Sequence, residues 1–168
     1  MAIKIILADS AGVCFGVEKA VSSAESELKT SKHVSSYGPL IHNPQSIEKL
    51  EKQGLNVINE INNQKGTIII RAHGITIDEE SKLNSNESKV VDMTCPIVKR
   101  LQFAVKALTE ESYHVIIVGD YNHPEIIGAK SYGNNNVSVI QSIEDIKKLR
   151  ITTKKIGIVA QTTIPVEN

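Results

Sequence analysis

Residues 90–100 have the sequence VVDMTCPIVKR, which places Cys95 between a β-branched run and a helical pattern. Proline is favoured at the first position of a helix because its missing N–H would have no partner there. Pro96 therefore predicts that a helix begins here, with Cys95 as its N-cap. A thiol at this position lies at the positive end of the helix dipole, which favours the thiolate, the form that binds metals. A cysteine that only packs in a core is the alternative.

The composition is that of a soluble globular protein of 168 residues, 40% hydrophobic and 23% charged, with a formal net charge of zero. The length suits one large domain or two small ones. Zero net charge gives no electrostatic case for a nucleic-acid or membrane partner, and no apolar run approaches the roughly 20 residues of a membrane span. The only two cysteines are Cys14 and Cys95, so we expect a cytoplasmic protein without a disulfide framework.

Strand and helix patterns alternate along the chain, which predicts parallel α/β sheets. The predicted strands are the short segments 3–7, 33–37, 55–58, 67–70, 89–91, 114–118, 137–140 and 156–159. The predicted helices lie between them, at 17–28, 46–53, 78–83, 97–108, around Ile126 and Ile127, and at 143–149. The first of these strands is too short and too soon followed by Asp9 to be a signal peptide.

An internal repeat with a period of 81 residues runs through the sequence. The period separates four pairs of residues, which are Cys14 and Cys95, His33 and His114, Gly38 and Gly119, and His42 and His123. We therefore predict two copies of one α/β unit, residues 1–94 and 95–168. The second copy lacks the closing helix and strand that follow His73 in the first. We expect that the chain is a piece of a longer protein, with a third unit beginning at a cysteine near about residue 176.

Reactive side chains gather at one end of the predicted sheets. In parallel α/β sheets, ligands bind outside the carboxyl ends of the strands. The candidates that follow a predicted strand are Cys14, His42, His73, Cys95, His123, Glu125, Thr162 and Thr163. Only His33 and His114 lie at the beginning of a predicted strand rather than after one, and we assign both side chains to turns or to the surface. Three histidines and both cysteines on one edge favour a functional site there.

Several chemistries suit this set of side chains. A zinc site could use Cys14, Cys95 and two histidines, although the sequence has no closely spaced ligand pair. A cysteine–histidine hydrolase could use either thiol, but this leaves the repeated cysteine without a role. An iron–sulfur cluster suits the repeat better, because each unit would contribute one thiolate and three thiolates leave one iron open for a substrate.

The histidines suit a small anionic substrate, because imidazole donates to phosphate oxygens and helix N-termini add backbone donors. The sequence has neither a Walker loop nor a Rossmann glycine pattern, so a nucleotide is not indicated. Glu125, beside His123, is the candidate proton donor or relay. A helix N-terminal acid stabilised by the dipole is the alternative. Thr162 and Thr163 could orient Glu125 or a substrate hydroxyl.

Six ordered motifs resemble those of the 4-hydroxy-3-methylbut-2-enyl diphosphate reductase family, whose members are the last enzymes of the non-mevalonate isoprenoid pathway. The motifs are GVCFGV at 12–17, IHN at 41–43, RAHG at 71–74, DMTCP at 92–96, HPE at 123–125 and QTT at 161–163. The resemblance extends from residue 3 to the end of the chain. It implies three α/β units around a central 4Fe-4S cluster that is held by three cysteines.

The resemblance also implies a role for each candidate residue. Cys14 and Cys95 match the first two cluster ligands, and the third cysteine lies outside this chain. His42, His73 and His123 match residues that hold the substrate diphosphate and hydroxyl. Glu125 matches the acid that delivers protons, and the threonine pair at 162–163 matches one that lies beside that acid.

The implied reaction is the reductive dehydroxylation of (E)-4-hydroxy-3-methylbut-2-enyl diphosphate to isopentenyl and dimethylallyl diphosphate. The implied electron donor is ferredoxin or a flavodoxin-type protein. A non-catalytic, truncated paralogue that binds a small diphosphate is the alternative function, and a zinc or thiol hydrolase is a further one.

The 168-residue chain has two of the three implied thiolates, so we expect that it neither holds a stable 4Fe-4S cluster nor turns over by itself. Iron and sulfide analysis after anaerobic reconstitution of the purified chain measures this. A stable cluster together with reductase activity in this chain would contradict the expectation.

Overall fold

The structure is a computed structural model that describes residues 3–6, 8, 12–62, 64–85 and 87–164. Within these residues the chain alternates between helices and short strands. The elements are α1 Phe15–Thr30, β1 Val34–Tyr37, α2 Pro44–Lys52, β2 Leu55–Ile58, β3 Thr67–Ile70, α3 Ile77–Asn84, β4 Lys89–Asp92, α4 Pro96–Glu110, β5 His114–Val118, α5 Pro124–Ser131, β6 Val137–Ile140, α6 Ile143–Ile146 and β7 Ile156–Ala160.

These seven strands pair in parallel and form two sheets. The first sheet has the order β2-β1-β3-β4, and the second has the order β6-β5-β7. In the first sheet, β1 and β3 are in register from Val34 opposite Thr67 to Tyr37 opposite Ile70. In the second sheet, β5 lies between β6 and β7 and pairs with both. The predicted parallel α/β architecture is confirmed.

The second sheet repeats the order of the first three strands of the first sheet. In each sheet the central strand, β1 or β5, follows a helix whose N-cap is a cysteine, Cys14 for α1 and Cys95 for α4. Pro96 is the first residue of α4, as its position in the sequence predicts. The duplication predicted from the 81-residue period is therefore visible in the topology. A unit boundary between residues 94 and 95 stays a prediction.

Helices cover both faces of the first sheet. Ala20 of α1 and Leu50 of α2 belong to the buried cluster that contains Ile69 of β3. On the opposite face, Leu83 of α3 is buried in a cluster with Ile68 of β3. Because β3 is covered on both faces, all four of its residues are buried, which explains why its sequence does not alternate between apolar and polar residues.

One face of the second sheet packs against α4 and α5. The buried cluster there includes Leu101 and Val105 of α4, Val115 and Ile117 of β5, and Ile126 of α5. The opposite face is more open at β7, where Ile158 is 69% exposed. In the part of the chain that the structure describes, no helix combines the length and the apolar character needed to cross a membrane.

The predicted strand at 3–7 is wrong for the residues that the structure describes. Residues 3–6 lie outside the helices and strands, and Ile3 and Ile5 are 89% and 88% exposed. Leu7 lies outside the described residues. A strand needs a hydrogen-bonded neighbour, and residues 3–6 pair with none of the strands β1–β7. An apolar β-branched pattern predicts strand propensity, but it does not supply that neighbour.

The helix predicted at 143–149 is shorter than expected, because α6 ends at Ile146. The next three backbone N–H groups donate to carbonyls three residues back rather than four, so the chain tightens into turns. Ile143 and Ile146 are 76% and 51% exposed. A short helix with little tertiary packing has little to extend it.

His114 is buried in a strand, which corrects its assignment to a turn or the surface. It is the first residue of β5 and only 9% exposed, and its Nε2 lies 2.8 Å from the hydroxyl of Ser138. Because β5 is the central strand of the second sheet, neighbouring strands flank it on both sides. His33, which directly precedes β1, is exposed as expected.

Replacement of Ile69 with alanine should lower the free energy of unfolding by about 3 kcal/mol, because it opens a cavity in the most buried strand. Ile158→Ala is the matched control, since this isoleucine also lies in a strand but is 69% exposed. It should cost less than about 1 kcal/mol. Urea denaturation measures both, and equal losses would contradict the placement of the core.

Candidate active site

One cleft of about 270 Å³ brings together the candidate side chains. It lies beyond the carboxyl ends of strands from both sheets. Its lining includes all eight of the predicted site residues, which are Cys14, His42, His73, Cys95, His123, Glu125, Thr162 and Thr163. This arrangement agrees with the expectation that these residues lie at the same edge of the sheets. Their individual roles stay predictions.

The turn after β3 connects the loops that carry His42 and Cys95. The Ala72 N–H donates to the Leu40 carbonyl at 3.2 Å, and the Ala72 carbonyl accepts from the Cys95 N–H at 2.9 Å. Since β3 lies between β1 and β4, this turn meets the chain as it leaves each neighbouring strand. These two backbone hydrogen bonds therefore place the loop that carries His42 on one side of Ala72 and Cys95 on the other.

Gly74 and Arg71 close this turn around His73. The Gly74 N–H donates to the Arg71 carbonyl at 3.0 Å, and Arg71 Nε donates to the Gly74 carbonyl at 3.3 Å. Gly74 has a φ of 74°, which is a left-handed conformation that favours glycine. Gly38, after β1, faces the Arg71 guanidinium so closely that a Cβ would collide with it.

Arg71 lies beside the site and influences the pKa values of His42 and His73, although we assign no role to this residue of the RAHG motif from the sequence. Its side chain contacts the loop after β1 and closes the turn after its own strand, β3. Its position in the sequence could have identified it, because a charged residue directly after a fully buried strand lies at the edge of the sheet where ligands bind.

Both thiols lie at helix N-termini. Cys14 is exposed and Cys95 is partly buried, and both are free of disulfides. Neither side chain makes a capping hydrogen bond within the described part of the chain, which leaves the sulfur atoms available as ligands. A Cβ on Gly16 would lie 3.1 Å from the Cys95 sulfur, so the missing side chain of Gly16 lets α1 approach the second thiol.

The donor set fits two ligands of an iron–sulfur cluster, because clusters are held by cysteine thiolates and both thiols line one cleft. A single zinc ion would need three or four converging protein ligands. Among the residues described, no group of three or more His, Cys, Asp or Glu side chains is arranged to hold a metal ion.

His42, His73 and His123 form a triangle of imidazole rings. The ring centroids of His42 and His73 are 4.0 Å apart, and each lies 5.6 Å from that of His123. Burial, followed by the neighbouring imidazoles and the Arg71 guanidinium, lowers the pKa of His73 to about 4. Burial, His123 and Arg71 likewise lower the pKa of His42. Both rings are therefore neutral at pH 7.

The capping hydrogen bond that His123 makes to α5 determines which ring nitrogen carries the proton when the ring is neutral. His123 is the N-cap of α5, and its Nδ1 accepts a hydrogen bond of 3.2 Å from the Glu125 N–H. A ring nitrogen that accepts a hydrogen bond carries no proton, so in the neutral ring the proton is on Nε2. His123 therefore offers an N–H donor at Nε2.

Glu125 is a buried carboxylate, 1% exposed, that the end of β7 holds in place. The Thr162 N–H donates to Oε1 at 2.7 Å, and the Thr162 hydroxyl donates to Oε2 at 2.8 Å. The neighbouring Thr163 hydroxyl instead accepts from Gln161 Nε2 at 3.0 Å. The two threonines thus differ, because Thr162 orients Glu125 and Thr163 is bound to Gln161.

The fold and the cleft define the chain as a parallel α/β protein with two sheets, in which the segments after the strands bring two thiols and three histidines to one shared site. A sequence profile of the family described as LytB protein matches residues 5–168. The chain belongs to this LytB family.

Individual relatives agree with this assignment. A 4-hydroxy-3-methylbut-2-enyl diphosphate reductase of Pelobacter propionicus is 43% identical over 166 residues, which cover 98% of this chain and 59% of that protein. A reductase of the same name from Aquifex aeolicus is 43% identical over 166 residues, which cover 96% of this chain and 57% of that protein. The chain thus spans less than two thirds of the length of these relatives.

Two solved structures have the same fold. One is (E)-4-hydroxy-3-methyl-but-2-enyl diphosphate reductase, the terminal enzyme of the non-mevalonate pathway, with a TM-score of 0.82 and 43% identity over 97% of this chain and 59% of that chain. The other is the E-1-hydroxy-2-methyl-but-2-enyl-4-diphosphate reductase of Plasmodium falciparum, with a TM-score of 0.90 and 28% identity over 95% of this chain and 51% of that chain.

Thr162→Val should lower the free energy of unfolding by about 2 kcal/mol, because it removes a hydrogen bond to a buried carboxylate. Thr163→Val is the matched control, because its hydroxyl is bound to Gln161 and not to Glu125, and the change should stay within about 0.5 kcal/mol. Urea denaturation at neutral pH measures both variants. A loss in Thr163→Val as large as that in Thr162→Val would contradict the distinction.

The imidazole of His73 should titrate with a midpoint near its pKa of about 4. An unfolded histidine titrates near about 6.5, so between these values the unfolded chain binds more protons and acid lowers the stability of the fold. An NMR titration of the imidazole signals measures the midpoint, with His73→Gln to assign the signal. A midpoint near that of an unfolded histidine would show that the ring is not buried against its neighbours.

Proposed function

We propose that this chain contributes the substrate site and two cofactor ligands of a 4-hydroxy-3-methylbut-2-enyl diphosphate reductase. The proposed reaction converts (E)-4-hydroxy-3-methylbut-2-enyl diphosphate to isopentenyl and dimethylallyl diphosphate. One observation carries the proposal, which is that two free thiols, three histidines and a buried carboxylate line a single cleft. Membership of the LytB family and the names of the relatives support it.

The histidine triangle suits the diphosphate of the substrate. His42 and His73 are neutral at pH 7, so each ring offers one N–H without repelling its neighbours, and His123 offers Nε2–H. An anion beside His42 and His73 favours the protonated form of imidazole, so ligand binding should draw protons onto these two rings. The first turn of α1, after Cys14, adds backbone N–H donors to the same cleft.

Glu125 suits the role of proton donor to the substrate hydroxyl. In the proposed reaction the carbon–oxygen bond of the hydroxyl group breaks, two electrons and two protons are taken up, and the oxygen leaves as water. Glu125 lines the cleft and is shielded from solvent, which strengthens its interaction with a bound substrate. Thr162 holds both carboxylate oxygens and so keeps the carboxyl group in one orientation.

Cys14 and Cys95 would hold a 4Fe-4S cluster together with the third cysteine that the resemblance implies. When bound, the cluster would pass on the two electrons of the reduction one at a time, each supplied by a ferredoxin or flavodoxin-type donor. Each proposed unit, 1–94 and 95–168, contributes one thiol to the cleft. A cytoplasmic location is part of the proposal, because a reducing compartment keeps such thiols free for a cluster.

In the complete natural protein, reconstituted anaerobically with iron and sulfide and given a chemical reductant, Glu125→Gln should lower kcat by at least about 100-fold, the usual contribution of a general acid. Glu144→Gln is the matched control, because Glu144 also lies in the first turn of a helix but is exposed. Formation of the two isomeric diphosphate products measures kcat. Its value should not change in the control.

Diphosphate binding without turnover by the reconstituted wild-type protein would contradict the proposed activity and favour a non-catalytic binding module. Equal kcat values for the wild-type protein and Glu125→Gln would agree with the proposed reductase activity but contradict the role of Glu125 as the proton donor.

A further inference from the structure

Gln102 is a buried polar residue to which the proposed reaction assigns no role. It lies on α4, one turn after Val98, which lines the cleft, and it is only 2% exposed. Its Nε2 is buried and meets no hydrogen-bond acceptor among the residues that the structure describes. A buried amide without a partner is unfavourable. Packing alone would favour an apolar side chain of the same length, so the position of the amide needs another explanation.

The amide of Gln102 lies against the turn that carries His73. A Cβ on Gly74 would lie 2.6 Å from Gln102 Nε2, so the amide occupies the space that a side chain at Gly74 would need. The same Cβ would lie 3.1 Å from Cγ2 of Thr94, the residue before the second thiol. Gly74 closes the turn through both its N–H and its carbonyl. A shift of Gly74 therefore moves His73, the residue that precedes it.

The same amide also lies close to α5, the helix that carries Glu125. A Cβ on Gly128 would lie 3.5 Å from Gln102 Nε2 and 3.2 Å from the Ile75 carbonyl oxygen. Gly128 is buried, and its missing side chain allows α5 to approach both groups. Gln102 therefore stands between a turn of the first sheet and a helix of the second.

We propose that Gln102 is a positioning residue that sets the distance between His73 and the His123–Glu125 end of α5. Its planar amide fills the gap between the two glycines with a rigid end, whereas an apolar chain of the same length ends in a freely rotating group. We infer that this distance allows the three histidines to surround a diphosphate, and this part of the inference rests on the proposed function.

Gln102→Met in the full chain tests the proposal, because methionine has the same length and no amide. The imidazole NMR signals of His73 and His123 in the ligand-free protein should shift, and the affinity for inorganic diphosphate, measured by calorimetry, should fall about tenfold. The melting temperature should stay unchanged or rise, since an unpartnered donor is removed. A merely structural role would lower the melting temperature and leave the other two readouts unchanged.

Thr109→Val is the matched control, because Thr109 is also buried on α4 but its hydroxyl is bound to the Val105 carbonyl of the same helix. It should leave the imidazole signals and the diphosphate affinity unchanged. Gln102→Met with the same signals and affinity as Thr109→Val would overturn the proposal. If Gln102→Met does not fold, Gln102→Asn, which withdraws the amide by one methylene, is measured in its place with the same criterion.

The two proposals fail in different ways. If the wild-type chain does not bind inorganic diphosphate, the proposed substrate site fails. The imidazole signals of the ligand-free variants still decide whether Gln102 positions His73, because that comparison needs no ligand.

Discussion

The two backbone hydrogen bonds of Ala72 are the contacts on which the cleft depends. Its N–H donates to the Leu40 carbonyl and its carbonyl accepts from the Cys95 N–H. Three parallel strands, β1, β3 and β4, end at one edge, so the chain leaving the central strand meets the chain leaving each neighbour. His42, His73 and Cys95 are therefore placed by the pairing of the sheet, and their side chains need no direct contact to stay together.

The second sheet completes the cleft through close contacts of α5 with the first sheet's connecting segments. Gly128 allows this helix to approach the Ile75 carbonyl, and the Ile77 N–H donates to the Ser131 hydroxyl at 3.0 Å. These contacts lie behind the N-terminus of α5, where Glu125 faces the cleft. The arrangement gathers three imidazole rings and a buried carboxyl group in one cleft, and such clusters of titratable groups are typical of functional sites.

Local signals account for what could be predicted from the sequence. The all-apolar run of β3 and Pro96 at the start of α4 each act over a few residues, and the rule that ligands bind at strand ends then assembles the site residues. Features that depend on distant partners were missed. Residues 3–6 have a strand pattern but pair with none of the described strands, His114 is buried because β5 is central, and the Gln102 amide lies between two remote segments, the turn at Gly74 and α5.

The crystal structure of this chain with inorganic diphosphate tests the central claim most directly, namely that turns at the strand ends of both sheets build one anion site. The diphosphate should lie within the triangle of His42, His73 and His123, with Glu125 still held by Thr162. Diphosphate bound elsewhere, or imidazole rings too far apart to contact a single diphosphate, would contradict it.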